Sequence, residues 1–294
     1  MKRALVASLM AALAFTLGCS GTAGENDGGA GGGTSHSTGG GSGGSGGGGT
    51  GGGAMPADSG SPDAGGMTSD GGFFGASRCP NSNFVVCDDF EGSTIDSAVW
   101  VPDTQAGTVT IDSTRFARGS KSLHAKLTGS GGGNATLRFK QKVPIAGQRH
   151  WGRMFVYVPM SASGFLMDHS NLVNASGNNS SGSLSAYVAA IGAGVLNGIF
   201  FQQSPGIDET SLLYHQGVTR TPVPLDRWFC LEWDFNGADK ALTLFLDGDL
   251  IPTSVISGRD APTMADVRIG IQFVLPEAWF DSVAFASTRV GCSN

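Results

Sequence analysis

The sequence has few charged residues, few tyrosines and no long apolar run. Charged residues make up 14% of the chain, and tyrosine occurs three times. The apolar run near the start, residues 4–17, is too short to cross a bilayer as a helix. From residue 78 onward no Gly-x-Ser-x-Gly motif occurs, which excludes the usual serine-hydrolase arrangement. The net charge is −6, so nucleic acid is not an expected partner.

The first residues are typical of an export signal. Lys2 and Arg3 precede the short apolar run, and the run ends in Leu17-Gly18-Cys19-Ser20. This ending resembles the lipobox of bacterial lipoproteins, in which the cysteine is acylated and becomes the first residue. The resemblance implies a signal peptide over residues 1–18, lipidation at Cys19, and an extracytoplasmic position at the outer membrane or cell surface. A plain secretory signal is the alternative, and membrane contact is expected through the lipid anchor only.

A glycine-rich segment follows the signal. Residues 20–77 contain no Leu, Ile or Val, and 17 of the 26 residues from 28 to 53 are glycine. Such a segment cannot bury enough apolar surface to offset its chain entropy. We therefore expect residues 19–77 to form a disordered tether with a root-mean-square reach of roughly 40 Å. Residues 78–294 are long enough for one sizeable core, so we expect one domain and a monomer.

Short runs rich in branched and aromatic residues, bounded by Gly, Ser, Pro or Asn, recur through this domain. They lie at residues 108–112, 122–127, 136–143, 151–158, 184–191, 199–203, 228–235, 242–246 and 250–251. In the run 228–235 apolar and acidic residues alternate, and Asn236-Gly237 and Asp247-Gly248 predict turns after it. Helical periodicity is almost absent. The pattern predicts an all-β sandwich or jelly roll of two antiparallel sheets.

Four cysteines remain once Cys19 is set aside. Cys79, Cys87, Cys230 and Cys292 form an even set in an exported chain, which predicts two disulfides. Three pairings are possible. If the first and last strands lie antiparallel, Cys79 lies near Cys292 and Cys87 is left for Cys230. A zinc site is the alternative, although no histidine occurs at ligand spacing.

Several motifs resemble the concanavalin A-like jelly-roll domains of secreted polysaccharide lyases and related carbohydrate-binding proteins. These motifs are Cys87-Asp88-Asp89-Phe90-Glu91-Gly92, Trp228-Phe229-Cys230-Leu231-Glu232-Trp233, Leu246-Asp247-Gly248, Trp279-Phe280-Asp281-Ser282-Val283 and Arg289-Val290-Gly291-Cys292. The resemblance implies a polysaccharide partner and no organic cofactor. It also implies a structural Ca²⁺ where the first and last strands meet, with Asp89, Glu91 and Asp281 as candidate ligands. The alternative is that these acids are solvated or pair with Arg289.

One stretch of the domain is strongly cationic. No Asp or Glu occurs from residue 113 to residue 167, which contains nine Lys and Arg residues. In the run 137–143 the period of two puts Arg138, Lys140 and Lys142 on one face. Three cations at intervals of roughly 7 Å suit a chain with a carboxylate or sulfate on successive sugars. The alternative is a solvated face whose charges discourage edge pairing.

A lyase would add three chemical roles to this surface. β-Elimination needs a cation for the uronate carboxylate, a base for the C5 proton and an acid for the leaving oxygen. Our candidates are Arg138, His169 and Tyr187, in that order. Further candidate substrate contacts are His150, Arg153, Tyr157, Tyr214 and His215. Aromatic side chains are included because sugar rings pack on flat apolar surfaces.

The catalytic motifs of this fold are missing from the chain. Gln-Ile-His and Tyr-x-Lys-x-Gly, which mark its alginate lyases, do not occur, nor does the Glu-x-Asp-x-x-Glu of its glycoside hydrolases. We therefore expect a surface-anchored domain that binds polysaccharide, with anionic, uronate-containing chains among the candidate ligands. A polysaccharide lyase that acts by β-elimination is the first alternative. A surface protein with a protein partner is the second.

Overall fold

Strands account for most of the described chain. The computed structural model describes residues 73–79, 84–129, 132–141, 148–166, 168–203, 207–211, 221–252, 257–258 and 262–293. Fifteen strands lie in these ranges, together with a 3₁₀ helix at Met160–Phe165. Every paired strand is antiparallel to its neighbour.

Eight strands form one sheet. They are β1 (Val86–Asp88), β3 (Gly107–Asp112), β4 (Ser122–Leu127), β6 (Arg149–Tyr157), β11 (Trp228–Asn236), β12 (Ala241–Leu246), β13 (Asp249–Leu250) and β15 (Glu277–Ala286). Their order is β13-β12-β11-β6-β15-β4-β3, with β1 paired to β15.

Seven strands form the other sheet. They are β2 (Trp100–Gln105), β5 (Gly133–Phe139), β7 (Ser170–Asn178), β8 (Leu184–Gly192), β9 (Val195–Gln203), β10 (Ile207–Ser211) and β14 (Thr263–Phe273). Their order is β10-β9-β8-β7-β14-β5-β2.

The inner faces of the two sheets form one apolar core. Because side chains alternate along a strand, every second residue of β11 (Phe229, Leu231, Trp233 and Phe235) is fully buried. Phe139 of the seven-stranded sheet packs edge-on against Phe285 of the eight-stranded sheet, with ring centroids 5.2 Å apart. Trp100 lies beside both rings. The predicted all-β sandwich of two antiparallel sheets is confirmed.

The strand bounds agree with the sequence where aromatic and branched residues alternate. The predicted run 122–127 coincides with β4, and Asp247-Gly248 links β12 to β13 with φ angles of 52° and 93°. Positive φ at both positions is what a two-residue hairpin turn requires. The run 136–143 is shifted, because β5 spans Gly133–Phe139 and so ends before Lys140. Six strands lie outside the predicted runs: β1, β2, β7, β10, β14 and β15.

The observed pairing of the four cysteines differs from the one considered above. Cys79 bonds to Cys87, and Cys230 bonds to Cys292. The strands β1 and β15 do lie antiparallel, with Cys87 opposite Ala284. Cys79, however, returns to β1 within eight residues, while Cys292 reaches β11. Two disulfides indicate an extracytoplasmic protein. No helix among the described residues is long and apolar enough to cross a membrane.

The chain packs on the sandwich from before position 78. Phe73 and Phe74, which the sequence placed in the tether, contact the cluster formed by Phe155 and the Cys230–Cys292 disulfide. The carbonyl of Gly75 accepts the Gly119 N–H at 2.8 Å. Residues 1–72, with the predicted signal peptide, Cys19 and most of the predicted tether, lie outside the described residues.

Candidate functional site

On the outer face of the eight-stranded sheet, a buried carboxylate holds the C-terminal segment in place. Glu232, on β11, is fully buried and accepts hydrogen bonds from Arg289 Nη2 at 2.8 Å and Arg289 Nε at 3.3 Å. It also accepts the Gly291 N–H at 2.8 Å. These bonds fix the C-terminal residues across the sheet, next to the Cys230–Cys292 disulfide.

A second group of buried charges lies on the same face. Asp281 accepts the N–H groups of Ala117 and Arg118 at 2.7 and 2.8 Å. The Arg118 guanidinium donates to the carbonyls of Phe73 and Cys292, so it joins the first and last described segments. Burial raises the pKa of Asp281 to about 7 and lowers the pKa of Arg153 to about 10. Arg153 is fully buried in this cluster, so its predicted contact with substrate is wrong.

An aromatic row on this sheet is also covered. His124 stacks on Trp279 with ring centroids 4.1 Å apart, and Tyr157 meets the same Trp279 edge-on at 5.8 Å. The Arg115 guanidinium lies over both Tyr157 and Trp279, at 4.4 and 5.0 Å from the ring centroids. Tyr157 also donates its hydroxyl to Asp226 at 3.2 Å. The predicted sugar contact at Tyr157 is therefore wrong, since its ring is buried beneath an arginine.

Two other predicted site residues lie inside the sandwich. His150 is fully buried and accepts the indole N–H of Trp233 at its Nδ1, 3.1 Å away. Burial lowers the pKa of His150 to about 3, so it is neutral in the folded protein. Tyr187 is fully buried between the rings of Phe200 and Phe235. Neither side chain reaches the surface, which corrects both predictions.

The outer face of the seven-stranded sheet carries a row of amide side chains. Gln105 (β2) is directly opposite Asn134 (β5), Asn134 is opposite Gln272 (β14), and Gln272 is opposite Asn171 (β7). We call these four residues the amide row. Because neighbouring strands lie about 4.8 Å apart, the row spans about 14 Å across four strands. Gln105 is exposed, Asn134 and Gln272 are half-buried, and Asn171 is buried.

Hydrogen bonds orient one end of the amide row. Asn171 Nδ2 donates to Gln272 Oε1 at 3.1 Å, and Asn171 Oδ1 lies 2.6 Å from His169 Nε2. An amide oxygen only accepts, so His169 donates from Nε2 in this arrangement. This hydrogen bond fixes the Gln272 amide with its Oε1 toward Asn171. His169 is thus a positioning residue at the end of the row.

Charged residues follow the amide row along the same face. Arg138 (β5) is exposed and lies opposite Arg268 (β14), which in turn lies opposite Asn174 (β7). Arg268 pairs with Asp103 and, at 2.7 Å, with Asp266. Arg138 is four β5 residues from the level of Asn134, which is roughly 14 Å along the strand.

The predicted cationic row and catalytic trio are not assembled on this face. Lys140 follows the end of β5 and donates its ammonium to the Ser97 carbonyl at 2.8 Å. Lys142, Tyr214 and His215 lie outside the described residues. Arg138 is on β5, whereas His169 immediately precedes β7, and β14 lies between these two strands. Tyr187 is fully buried in the core. The three candidate lyase residues therefore do not meet.

An exposed aromatic side chain adjoins the amide row. Phe273, next to Gln272 in sequence, is 48% exposed and has a φ angle of 80°. Its ring meets His169 edge-on, with centroids 5.4 Å apart. Beside it lies a groove of about 290 Å³ lined by Leu127, Thr128, Gly129, Phe165, Val274 and Pro276.

The predicted calcium ligands do not converge. Glu91 accepts hydrogen bonds from Ser120 N, Ser120 Oγ and Lys121 N at 2.6–2.9 Å, and Asp89 accepts the Ser77 hydroxyl. Asp281 accepts backbone N–H groups as described. Among the described residues, the group of acidic, His or Cys side chains close enough to share an ion is Cys230, Glu232 and Cys292, of which the cysteines form a disulfide. The carboxylate oxygens of Asp89, Glu91 and Asp281 thus do not lie together in this arrangement, and the structural Ca²⁺ stays a prediction.

The sequence missed most of the candidate site. Asn134, Asn171, Gln272 and Phe273 lie on three strands that meet only through β14, whose pairing partners are distant in the chain. Their residue types were the available signal, since Asn and Gln are the usual hydrogen-bonding groups for sugar hydroxyls. Among the predicted contacts that the structure describes, Arg138 lies exposed on the same face.

Similarity to known proteins is limited to solved structures. No family model matches the chain, and no curated protein matches it. The binding domain of botulinum neurotoxin serotype G has a TM-score of 0.45 and 11% identity, covering 72% of this chain and 49% of that chain. A C-terminal family 22 carbohydrate-binding module from Clostridium thermocellum has a TM-score of 0.38 and 12% identity, covering 69% and 92%. The carbohydrate-binding module CBM66 from Bacillus subtilis has a TM-score of 0.35 and 13% identity, covering 70% and 98%. The chain spans about half the length of the neurotoxin domains that it matches.

Proposed function

We propose that this protein binds polysaccharide on the outer face of its seven-stranded sheet. The observation that supports the proposal is the amide row, in which Gln105, Asn134, Gln272 and Asn171 lie opposite one another on four neighbouring strands. Rigid strands hold such side chains at fixed spacing, so little conformational freedom is lost on binding. An extended sugar chain has hydroxyl groups along its length that match a row of donors and acceptors.

The other sheet is the less suitable surface for a ligand. Its outer face is covered by segments that Glu232, Asp281 and Arg118 hold in place. Its aromatic row lies beneath Arg115. A ligand there would have to displace buried ion pairs, and removing one partner of such a pair costs several kcal/mol.

Binding without bond cleavage is the activity we propose. A lyase would need a base, an acid and a cation around one sugar ring, within hydrogen-bond reach of it. The buried Tyr187 and the separation of Arg138 from His169 give no support to that mechanism.

The sequence supports a position at the cell surface. We propose that Cys19 is lipidated and that the glycine-rich segment after it gives the domain a reach of roughly 40 Å from an outer membrane. Such a tether would let the domain sample polysaccharide near the cell without losing its anchor.

Affinity gel electrophoresis of the full chain tests this function. The gels would contain soluble neutral or uronate polysaccharides, with wild type, Asn134→Ala and Thr110→Ala run side by side. Thr110 is the matched control, because it lies on the outer face of the eight-stranded sheet. We expect at least one polysaccharide to retard the wild type. The same polysaccharide should retard Asn134→Ala less than the wild type, and Thr110→Ala as much as the wild type. Retardation by no polysaccharide overturns the proposal, and an unsaturated, ultraviolet-absorbing product overturns its non-catalytic part.

A further inference from the structure

The charges beside the amide row cancel. Arg138 and Arg268 lie on adjacent strands, but Asp103 and Asp266 lie on the same face and both pair with Arg268. The ammonium of Lys140 is engaged by the Ser97 carbonyl. A carboxylate approaching Arg138 would therefore meet two aspartates at close range. Like charges brought together in a binding site oppose association.

Uronate chains need several cations in register, and the described part of this face does not supply them. A polymer with one charge per sugar gains from binding only where each charge meets a donor cation. Here Arg138 is one cation without a carboxylate partner among the described residues, and it lies roughly 14 Å from the amide row. The four side chains of the amide row carry no charge.

Phe273 supplies the surface that a neutral sugar needs. It follows directly after Gln272, and nearly half of its side chain is exposed. A bulky residue with a φ of 80° is uncommon, because left-handed backbone brings its Cβ close to the following carbonyl. Such a conformation persists only where surrounding structure holds it, and it is frequent at binding sites. The edge contact with His169, itself bonded to Asn171, provides that support.

We infer that the ligand is a neutral polysaccharide, and that one of its sugar rings packs on Phe273 while neighbouring hydroxyls bond to Gln272 and Asn134. This inference rests on the proposed function and specifies its substrate class. Stacking on the ring and hydrogen bonding to the row act on adjacent parts of one chain. Phe273 is therefore a specificity-determining residue, and Arg138 is outside the principal contact.

Replacing Phe273 by glycine separates binding from folding. Phe273→Gly removes the ring, while glycine adopts positive φ without strain, so the melting temperature should not fall. Phe273→Trp keeps an aromatic surface. Phe116→Ala is the control, because Phe116 is 43% exposed on the segment that covers the eight-stranded sheet. We expect Phe273→Gly to bind a neutral polysaccharide roughly tenfold more weakly, because the lost packing on the ring corresponds to about 1.4 kcal/mol. Phe273→Trp and Phe116→Ala should bind like the wild type.

Salt and ligand charge complete the test. Binding of the full chain to neutral glucans, xylans and mannans should be unchanged when ionic strength is raised tenfold, because no ion pair is formed. Retention on polyuronates alone, with loss at high salt, would overturn the neutral-ligand inference and leave the proposed function intact. A second result would also overturn this inference and leave the proposed function intact: Phe273→Gly binds like the wild type, while Asn134→Ala binds weakly. Retention on no polysaccharide would overturn the proposed function itself.

Discussion

Replacing Glu232 by glutamine should loosen the C-terminal segment from the eight-stranded sheet. The change keeps the shape of the side chain, but it replaces a carboxylate oxygen by an amide NH₂ and removes the charge that faces Arg289. Glutamine can still accept the Gly291 N–H. Two hydrogen bonds to a charged group are weakened, each worth about 1.5–3 kcal/mol. The Arg289 side chain is 42% exposed and recovers part of its hydration, so we expect a net loss of about 3 kcal/mol.

A loss of this size is measurable by thermal unfolding. For a domain of 150–250 residues, each kcal/mol lowers the melting temperature by about 2–4 °C, so Glu232→Gln should melt about 6–12 °C below the wild type. The melts are followed by circular dichroism without reductant, which keeps the Cys230–Cys292 bond intact. The control is Glu277→Gln, because Glu277 is 25% exposed and contacts His124 at the surface. It should lose less than about 1 kcal/mol. Equal melting temperatures for Glu232→Gln and wild type would show that Glu232 does not stabilise the attachment of the C-terminal segment to the sheet.

Three further predictions concern the core, the disulfides and pH. Gly152→Ala places a Cβ onto the buried Trp233 ring, so it should lower the free energy of unfolding by about 3 kcal/mol in urea titrations, whereas Gly164→Ala, with open space around it, should have little effect. Replacing both cysteines of Cys230–Cys292 by serine should cost about 4 kcal/mol, against about 2.5 kcal/mol for Cys79–Cys87, because the sequence separations are 62 and 8 residues; equal urea midpoints for the two double variants would contradict this. Asp281 has its pKa raised by burial from 3.8 to about 7, so the folded state binds its proton more tightly than the unfolded chain does. Its contribution to stability is complete below pH 4 and is lost as the pH rises to 7. Wild type should therefore lose up to about 4 kcal/mol relative to Asp281→Asn over that range in pH-dependent urea unfolding, and a constant difference would contradict the raised pKa.

Alternating patterns made part of the fold predictable. In β4 and β11 apolar residues recur at every second position, so the sequence alone indicates which side chains face the core. The Asp247-Gly248 turn was equally clear, because few residue pairs adopt positive φ twice in succession.

The strand β7, which carries Asn171 of the amide row, lacks such a pattern. The sequence of β7, Ser-Asn-Leu-Val-Asn-Ala-Ser-Gly-Asn, is rich in residues with low strand propensity. It forms a strand because β8 and β14 pair with it on both sides. Asn171, which belongs to the amide row, is one of the polar residues that obscure this strand.

The buried charges could not be located from the sequence either. Arg153, Glu232 and Asp281 each occupy outward positions on their strands, where alternation predicts solvent exposure. Segments from both ends of the described chain cover them, through the contacts of Arg118 and Arg289. Contacts between residues more than 40 positions apart leave no periodic trace in the sequence.

Calorimetric titration of a double variant tests the central claim most directly. Asn134→Ala/Gln272→Ala removes two amides of the row, and Thr110→Ala/Thr243→Ala removes two outward polar side chains from the eight-stranded sheet. On the polysaccharide that retains the full-length wild type, the account predicts that the amide double variant binds about 10- to 100-fold more weakly, since each lost hydrogen bond contributes about 1 kcal/mol. The threonine double variant should bind like the wild type. Unchanged affinity of the amide double variant, or a loss confined to the threonine double variant, would contradict a binding site on the seven-stranded sheet.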